Sequence, residues 1–301
     1  MTDRFVSRRT AVLAALLVPT IVANAGAKAG AYDQQTELFG VDIQGSGPDV
    51  LLIPGLASSP QVWASLAGQL SARHRVHLVD IAGFAGRPPA PSAPAAPPLA
   101  AGLAQALAAY RERNGLKNPA VVGHSVGGEV GLMLAARHPT AVGRLVVVDA
   151  LPFYSLLFSP AATVETATPG AQAFRDAWLK ATPEQLAAMQ EASAARLTTS
   201  AESRAAVSAW GRDSDRKSVA EAAYELATTD LRPELPRIQA ATTVIYAHHA
   251  SYGPPAQVDT LFSTAYQGLA GARLVCVDKS LHFVMLGQPK AFNAAVANAL
   301  R

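Results

Sequence analysis

Cysteine, aromatic and charged residues are all scarce in this 301-residue chain. The single cysteine, Cys276, cannot form an intramolecular disulfide, and because it lies in an apolar run we expect it in the core. Charged residues make up 16% of the chain and half of the residues are hydrophobic, so a large core is easily built. The formal net charge is only +3 and lies largely within residues 1–25, so we predict no nucleic-acid-binding surface.

The first 25 residues have the pattern of an export signal. Arg8 and Arg9 precede an apolar stretch over residues 11–23, and small residues at 23–25 offer a cleavage site before Gly26. The paired arginines resemble a twin-arginine signal, which predicts an exported protein, periplasmic or secreted. An uncleaved membrane anchor is the alternative, but the apolar stretch is short for a span. We therefore predict no stable membrane insertion once the signal is removed.

The most informative motif is centred on Ser125, within Gly-His-Ser-Val-Gly at 123–127. It follows a short apolar run at 119–122 and opens a helix-like stretch at 126–138. Strand, sharp turn and helix are the context in which Gly-x-Ser-x-Gly presents a nucleophilic serine. Both glycines are needed because a Cβ would clash in so tight a turn, and the helix N-terminus suits a developing oxyanion. In the alternative interpretation, Ser125 merely caps the helix.

Short β-branched runs alternate with longer alanine-rich segments over the rest of the chain. The strand candidates are residues 37–44, 50–53, 76–79, 120–122, 145–148, 243–246 and 274–277. Helices are predicted over residues 58–73, 99–113, 126–138, 258–267 and 289–300. Because buried strands alternate with helices, we predict an α/β fold with a mostly parallel central sheet covered by helices on both faces.

Two segments interrupt this alternation. Residues 88–98 contain six prolines and predict a polyproline-like surface loop, which cannot pair in the sheet. Residues 151–235 contain no convincing strand, and we predict that they form a helical cap inserted after the sixth core strand. This segment holds bulky aromatic residues, most of which we expect in the cap's own core, with one or two facing a pocket: Phe153, Tyr154, Phe158, Phe174, Trp178 and Trp210.

These features together resemble the α/β-hydrolase fold superfamily, serine esterases in particular, over roughly residues 36–301. Five segments carry the resemblance in the order in which the family has them: 53–56, 80–84, 123–127, 230–235 and 280–283. The family commonly has His-Gly where this chain has Pro54-Gly55. The predicted organisation is a signal at 1–25, a first core part at 26–150, the cap at 151–235 and a second core part at 236–301.

The resemblance implies a catalytic triad around Ser125. His282 is the predicted base, because it follows the last apolar strand, where the family places its catalytic histidine. The segment where the family most often supplies the acid, 246–251, has no carboxylate, so we predict Asp149, at the end of an earlier strand. Asp259 and Asp278 stay open as alternatives, as does a loop-fixing role for Asp149.

The other histidines are weaker candidates for the base. His124 adjoins the nucleophile and either points into the structure or packs near the site, whereas His74, His77 and His138 are expected to be structural or solvated. The pair His248-His249 has no acidic or cysteine partner at ligand spacing, so no metal site is predicted.

The predicted activity is hydrolysis of carboxylic esters of small or medium hydrophobic substrates through an acyl-enzyme. Backbone N–H groups of Leu56 and Val126 are the expected oxyanion-hole donors. No cofactor and no metal is implied, and the expected partner is a small-molecule ester. The same triad also supports cleavage of C–C bonds, lactones or amides, or a cofactor-free peroxidase reaction. A hydrolase-fold binding protein without turnover is the alternative from another class.

Overall fold

The computed structural model describes residues 36–91 and 97–301. Its centre is a seven-stranded sheet in the order β1-β3-β2-β4-β5-β6-β7, in which only β1 is antiparallel to its neighbour. The strands are β1 (Phe39–Gln44), β2 (Asp49–Ile53), β3 (Arg75–Ile81), β4 (Ala120–His124), β5 (Arg144–Val148), β6 (Ala241–His248) and β7 (Arg273–Asp278). The expected α/β sheet is confirmed, with every strand candidate in it.

Helices connect the strands and lie on both faces of the sheet. They are α1 (Ala64–Leu70), α2 (Leu99–Arg113), α3 (Val126–Arg137), α4 (Val164–Lys180), α5 (Pro183–Leu197), α6 (Ala201–Asp213), α7 (Arg216–Thr228), α8 (Pro255–Ala265), α9 (Val284–Gly287) and α10 (Pro289–Ala299). The helix predicted at 58–73 is shorter, because Pro60–Trp63 form a 3₁₀ turn before α1 begins. Within the described ranges, no helix has both the length and the hydropathy to cross a membrane.

The central strands are buried because helices cover both of their faces. All five residues of β2 and all five of β4 are buried. One face packs against α1 and α10, where Trp63 stacks on Phe292 with ring centroids 6.1 Å apart. The other face packs against α3 and α8. This two-sided burial explains why these strands are continuous apolar runs rather than alternating ones.

Four helices, α4 to α7, occupy the segment between β5 and β6. They lie within the stretch predicted to form the cap, residues 151–235, all of which is described and none of which is a strand. The segment follows the fifth strand of the described chain, whereas we expected it after a sixth. The proline-rich loop is described only in part, since residues 92–96, like the whole predicted signal, lie outside the described residues. The divisions at 25, 150 and 235 stay predictions.

The expectation for Cys276 was wrong. Its side chain is exposed, although its neighbour Val277 is buried in the core. Cys276 lies on β7, the edge strand of the sheet, with its side chain on the opposite face from that of Val277. An apolar run on an edge strand therefore need not be buried on both faces, because the covering helices do not extend fully over the margin of the sheet.

Candidate active site

The turn between β4 and α3 holds Ser125 in a conformation that few residues adopt. Its φ is 53° and its ψ is −120°, a strained combination for a residue with a side chain. A Cβ added at Gly123 would lie 2.0 Å from the Gly127 carbonyl oxygen, and one at Gly127 would lie 2.3 Å from the Ile53 carbonyl oxygen. The two glycines of the motif are therefore required by close backbone approaches, as the sequence predicts.

The hydroxyl of Ser125 does not serve to cap helix α3. The residue occupies the N-cap position of α3, but within the described part of the chain its side chain makes no capping hydrogen bond. Its backbone is fixed instead, because its N–H donates to the Val148 carbonyl at 3.0 Å and its carbonyl accepts from the N–H groups of Gly128 and Glu129. The interpretation of Ser125 as a mere helix cap was wrong.

His282 and Asp149 form a hydrogen-bonded pair although they are far apart in the sequence. Nδ1 of His282 donates to Oδ2 of Asp149 at 2.7 Å, and the other carboxylate oxygen accepts from the Ala247 N–H at 2.8 Å. Their side chains are 20% and 11% exposed, respectively. Because Nδ1 holds the proton in this bond, Nε2 of a neutral His282 is left to accept one.

The backbone conformation of Asp149 directs its carboxylate toward His282. Asp149 has a φ of 45° and ends β5, and its N–H donates to the Ile245 carbonyl on β6 at 2.7 Å. Serine and carboxylate therefore follow neighbouring parallel strands, β4 and β5, at the carboxyl edge of the sheet, where α/β folds build their sites.

The two alternative carboxylates bind elsewhere. Asp259 accepts a hydrogen bond from the Tyr246 hydroxyl at 2.7 Å. Asp278 pairs with Nδ1 of His248 at 2.8 Å, and its side chain is 65% exposed. Of the three candidates, only Asp149 contacts His282 in the described residues.

His124 is completely buried directly beneath the site. Its Nε2 donates to the His282 carbonyl oxygen at 3.1 Å, and the two imidazole centroids are 4.5 Å apart. Burial, and next the neighbouring His282, holds the pKa of His124 well below its ordinary value. His124 therefore stays neutral and supports the His282 backbone.

A cavity of about 800 Å³ lies over this site and contains Ser125, His282 and Leu56 in its wall. No hydrogen bond in the described part of the chain joins the Ser125 hydroxyl to His282. Both groups nevertheless face the same space, and such bonds commonly tighten only when substrate is bound.

Four of the six predicted cap aromatics line this cavity, so the expectation of one or two was wrong. They are Tyr154, Phe158, Phe174 and Trp178. The reason is the arrangement of the cap, whose helices leave a space between them rather than closing on a core of their own.

The predicted oxyanion donors lie on either side of Ser125. Val126 is the first residue of α3, so its N–H has no acceptor within the helix. Leu56 lies in a turn that is fixed by two bonds of Ser58, whose N–H donates to Gly55 and whose hydroxyl donates to Leu56 itself. Gly55, the residue before Leu56, lies next to Ser125, because a Cβ added at Gly55 would lie 3.1 Å from the serine Cβ. The oxyanion hole itself stays a prediction.

Two tyrosines near the acid were not identified from the sequence as parts of the site. Burial first, and then the Asp149 carboxylate, raises the pKa of Tyr252 to about 12. The same two causes, in the same order, raise the pKa of Tyr154. Both phenols stay protonated beside the carboxylate. Tyr252 follows β6 in a three-residue 3₁₀ turn, and no local sequence signal marks it.

Comparison with known proteins supports the assignment of the fold. Residues 48–286 match the protein family described as alpha/beta hydrolase fold. The chain is 26% identical over 269 residues to a pimeloyl-acyl-carrier protein methyl ester esterase of Aeromonas hydrophila, a match that covers 82% of this chain and 93% of that protein.

Solved structures are similar over most of the chain. An enol-lactonase from Burkholderia xenovorans superposes with a TM-score of 0.70 at 24% identity, covering 87% of this chain and 96% of that one. An esterase from Exiguobacterium antarcticum gives a TM-score of 0.71 at 19% identity, with the same coverage of both chains. At these identities the likeness shows the fold alone.

Proposed function

Because the chain belongs to the α/β-hydrolase family, we propose that it is a serine hydrolase that cleaves carboxylic esters of small or medium hydrophobic substrates. The observation that carries the proposal is that His282, whose Nδ1 lies 2.7 Å from Oδ2 of Asp149, lines the same cavity as a serine held in a strained turn. A serine hydroxyl needs a base to become nucleophilic, and an imidazole oriented by a carboxylate is such a base.

In the proposed mechanism, Ser125 attacks the ester carbonyl while Nε2 of His282 takes the hydroxyl proton. Asp149 holds the imidazole and stabilises the imidazolium that forms. The N–H groups of Leu56 and Val126 stabilise the oxyanion, each contributing roughly 3 kcal/mol to lowering the barrier. His282 then gives its proton to the leaving alcohol. In the second half of the reaction, His282 takes a proton from water, which attacks the acyl-enzyme and releases the acid and the Ser125 hydroxyl.

Two further observations support an ester with apolar groups. Among the described residues that line the cavity, none is aspartate, glutamate, lysine or arginine. The relative from Aeromonas hydrophila is named as a methyl ester esterase. Strain at Ser125 also argues against a binding protein without turnover, since such backbone conformations cluster at functional sites.

A fluorophosphonate probe tests the proposal directly. We expect it to label Ser125 in the folded protein, and we expect hydrolysis of p-nitrophenyl butyrate to disappear after labelling. Ser125→Ala is the matched control, since it should neither react with the probe nor hydrolyse the ester. A folded wild-type protein that is not labelled and hydrolyses no ester would favour the binding protein instead. Assays with a β-diketone, a lactone and an amide separate the remaining hydrolase activities.

A further inference from the structure

The cap consists of two helix pairs, with the cavity lying between the pairs. α4 packs against α7, and α5 packs against α6. All four helices contribute residues to the cavity wall. On α4, α5 and α7 these residues form long stripes, so the cavity extends along the helices rather than across them.

Contacts at the helix ends show which end of the cavity adjoins the site. The carbonyl of Leu197, the last residue of α5, accepts from the Phe283 N–H, next to His282, at 3.0 Å. The hydroxyl of Ser155 donates to the carbonyl of Ala227, near the end of α7, at 2.7 Å. The end of α5 therefore lies close to the proposed base. The end of α7 lies beside Ser155, whose neighbour Tyr154 is near the proposed acid, Asp149.

The opposite end is formed where α4 ends and where α6 and α7 meet. The Arg216 guanidinium, at the start of α7, donates to the Leu179 carbonyl at 3.2 Å. The Gln190 side-chain amide on α5 donates to the Gly211 carbonyl on α6 at 2.7 Å. Trp178, one residue before Leu179, therefore lines the far end of the cavity.

The wall formed by α4 changes from small to aromatic along its length. Ala167, Gly170 and Ala171 line its first half, and Phe174 and Trp178 line its second half. From Ala167 to Trp178 the helix advances about 16 Å. Small side chains leave a long open passage, and the aromatic pair, with ring centroids 5.7 Å apart, bounds it.

We infer that the preferred substrates are esters with a single unbranched hydrocarbon acyl chain, which lies along α4 with its tip at Phe174 and Trp178. This inference rests on the proposed function and narrows its substrate class. An uncharged, elongated cavity with a mostly apolar lining removes much of the surface of such a chain from water.

The assignment to the acyl side follows from the reaction. The leaving alcohol oxygen must take its proton from His282, whose side chain is partly exposed, so the alcohol departs past the imidazole toward solvent. The acyl chain stays bonded to Ser125 until water attacks. The acyl chain is therefore the part of the substrate that the cavity must hold between the two steps.

Acyl-chain series of p-nitrophenyl esters test this inference, each ester kept below the concentration at which it aggregates. For the wild-type protein we expect kcat/KM to rise from acetate through butyrate to octanoate, by about fourfold for each methylene that becomes buried. Equal kcat/KM for acetate and octanoate would overturn the inference and leave ester hydrolysis intact.

Gly170→Phe provides the structural test. A Cβ at Gly170 meets nothing within 4 Å, so the larger side chain fits the helix and obstructs the passage in its first third. We expect the ratio of kcat/KM for octanoate to kcat/KM for acetate to fall at least about tenfold, because at least two buried methylenes are lost. Ala167→Leu, on the same face of α4, should act in the same direction.

Gly68→Phe is the matched control, because Gly68 is exposed on α1 and its added Cβ also meets nothing within 4 Å. It should leave the hydrolysis of both esters unchanged. Equal losses on acetate and octanoate in Gly170→Phe, or no loss on either, contradict the inferred acyl path. Absence of hydrolysis of every ester by the wild-type protein contradicts the proposed function itself.

Discussion

At the residue scale, the carboxylate of Asp149 uses both of its oxygens. One binds Nδ1 of His282 and the other binds the Ala247 N–H. Asp149→Asn keeps the shape but no longer holds the imidazole in the required tautomer. We expect kcat on a soluble p-nitrophenyl ester to fall by about 10⁴-fold, with little change in Tm.

Two other carboxylates serve as controls for this variant. Asp259→Asn and Asp278→Asn remove charges that bind Tyr246 and His248, so their kcat should stay near the wild-type value. If Asp149→Asn lowers kcat by less than about tenfold, another group orients His282.

His124 is a positioning residue whose role can be separated from simple packing. Glutamine places its amide nitrogen near the position of the histidine Nε2, whereas asparagine is too short to reach the His282 carbonyl. We expect His124→Gln to keep most of kcat, and His124→Asn to lower kcat by about fivefold to tenfold with KM little changed, because one hydrogen bond is lost. Equal effects of the two substitutions on kcat would show that the hydrogen bond to the His282 carbonyl does not contribute to turnover.

The sequence identified the proposed nucleophile and base more readily than their surroundings. Ser125 lies in a motif whose glycines are required locally, and His282 follows the last strand. Asp149 needed the topology as well, because its partner is 133 residues away. The position of Tyr252 and the hydrogen bond from His124 to the His282 carbonyl depend on segments that are distant in the sequence but adjacent in space. No local sequence pattern could therefore show them.

At the element scale, helix α3 carries a buried acid that has no evident partner. Glu129 is 2% exposed, and neither of its carboxyl oxygens has a hydrogen-bond partner in the described residues. Burial first, and then the Glu225 carboxylate, raises its pKa well above the ordinary value of 4.5, with Arg137 acting in the opposite direction. The folded state therefore keeps this proton over a pH range in which the unfolded chain releases it.

Glu129→Gln removes this ionisation while keeping the side-chain volume. Since the folded wild type binds the extra proton, its free energy of unfolding should fall relative to that of the variant as pH rises from about 5 to about 8. Urea unfolding at both pH values measures the difference. The exposed Glu221→Gln on α7 should show no such divergence, and parallel curves for Glu129→Gln would contradict the prediction.

The boundaries of the elements were predictable where periodicity and buried runs were clear. The prediction for α2 agrees with the structure at both ends, and that for α3 agrees to within one residue. The start of α8 was placed three residues late, because Pro255 occupies a first-turn position that proline suits. The pairing of the four cap helices was not predictable, since alanine-rich helices offer several equivalent faces.

At the scale of the whole molecule, we propose that the chain is exported with its fold complete. Replacing Arg8 and Arg9 together by lysine should retain the protein in the cytoplasm, since a twin-arginine signal needs both arginines. Cell fractionation followed by the esterase assay measures the distribution. Single replacement of Arg4 is the control, and unchanged export of the double variant would indicate a different route.

The α/β class and the mostly parallel sheet followed from alternating runs. The shape of the cavity did not, because it depends on which helices pack together and which stay apart.

The left-handed backbone at Ser125 has a consequence for making the proposed hydrolase more heat-stable. Such a conformation costs of order 1–3 kcal/mol that glycine would not incur. Stability and the proposed turnover therefore make opposite demands on the residue at position 125. A laboratory selection for stability at high temperature alone would favour glycine at this position, which lacks the hydroxyl that the proposed reaction needs.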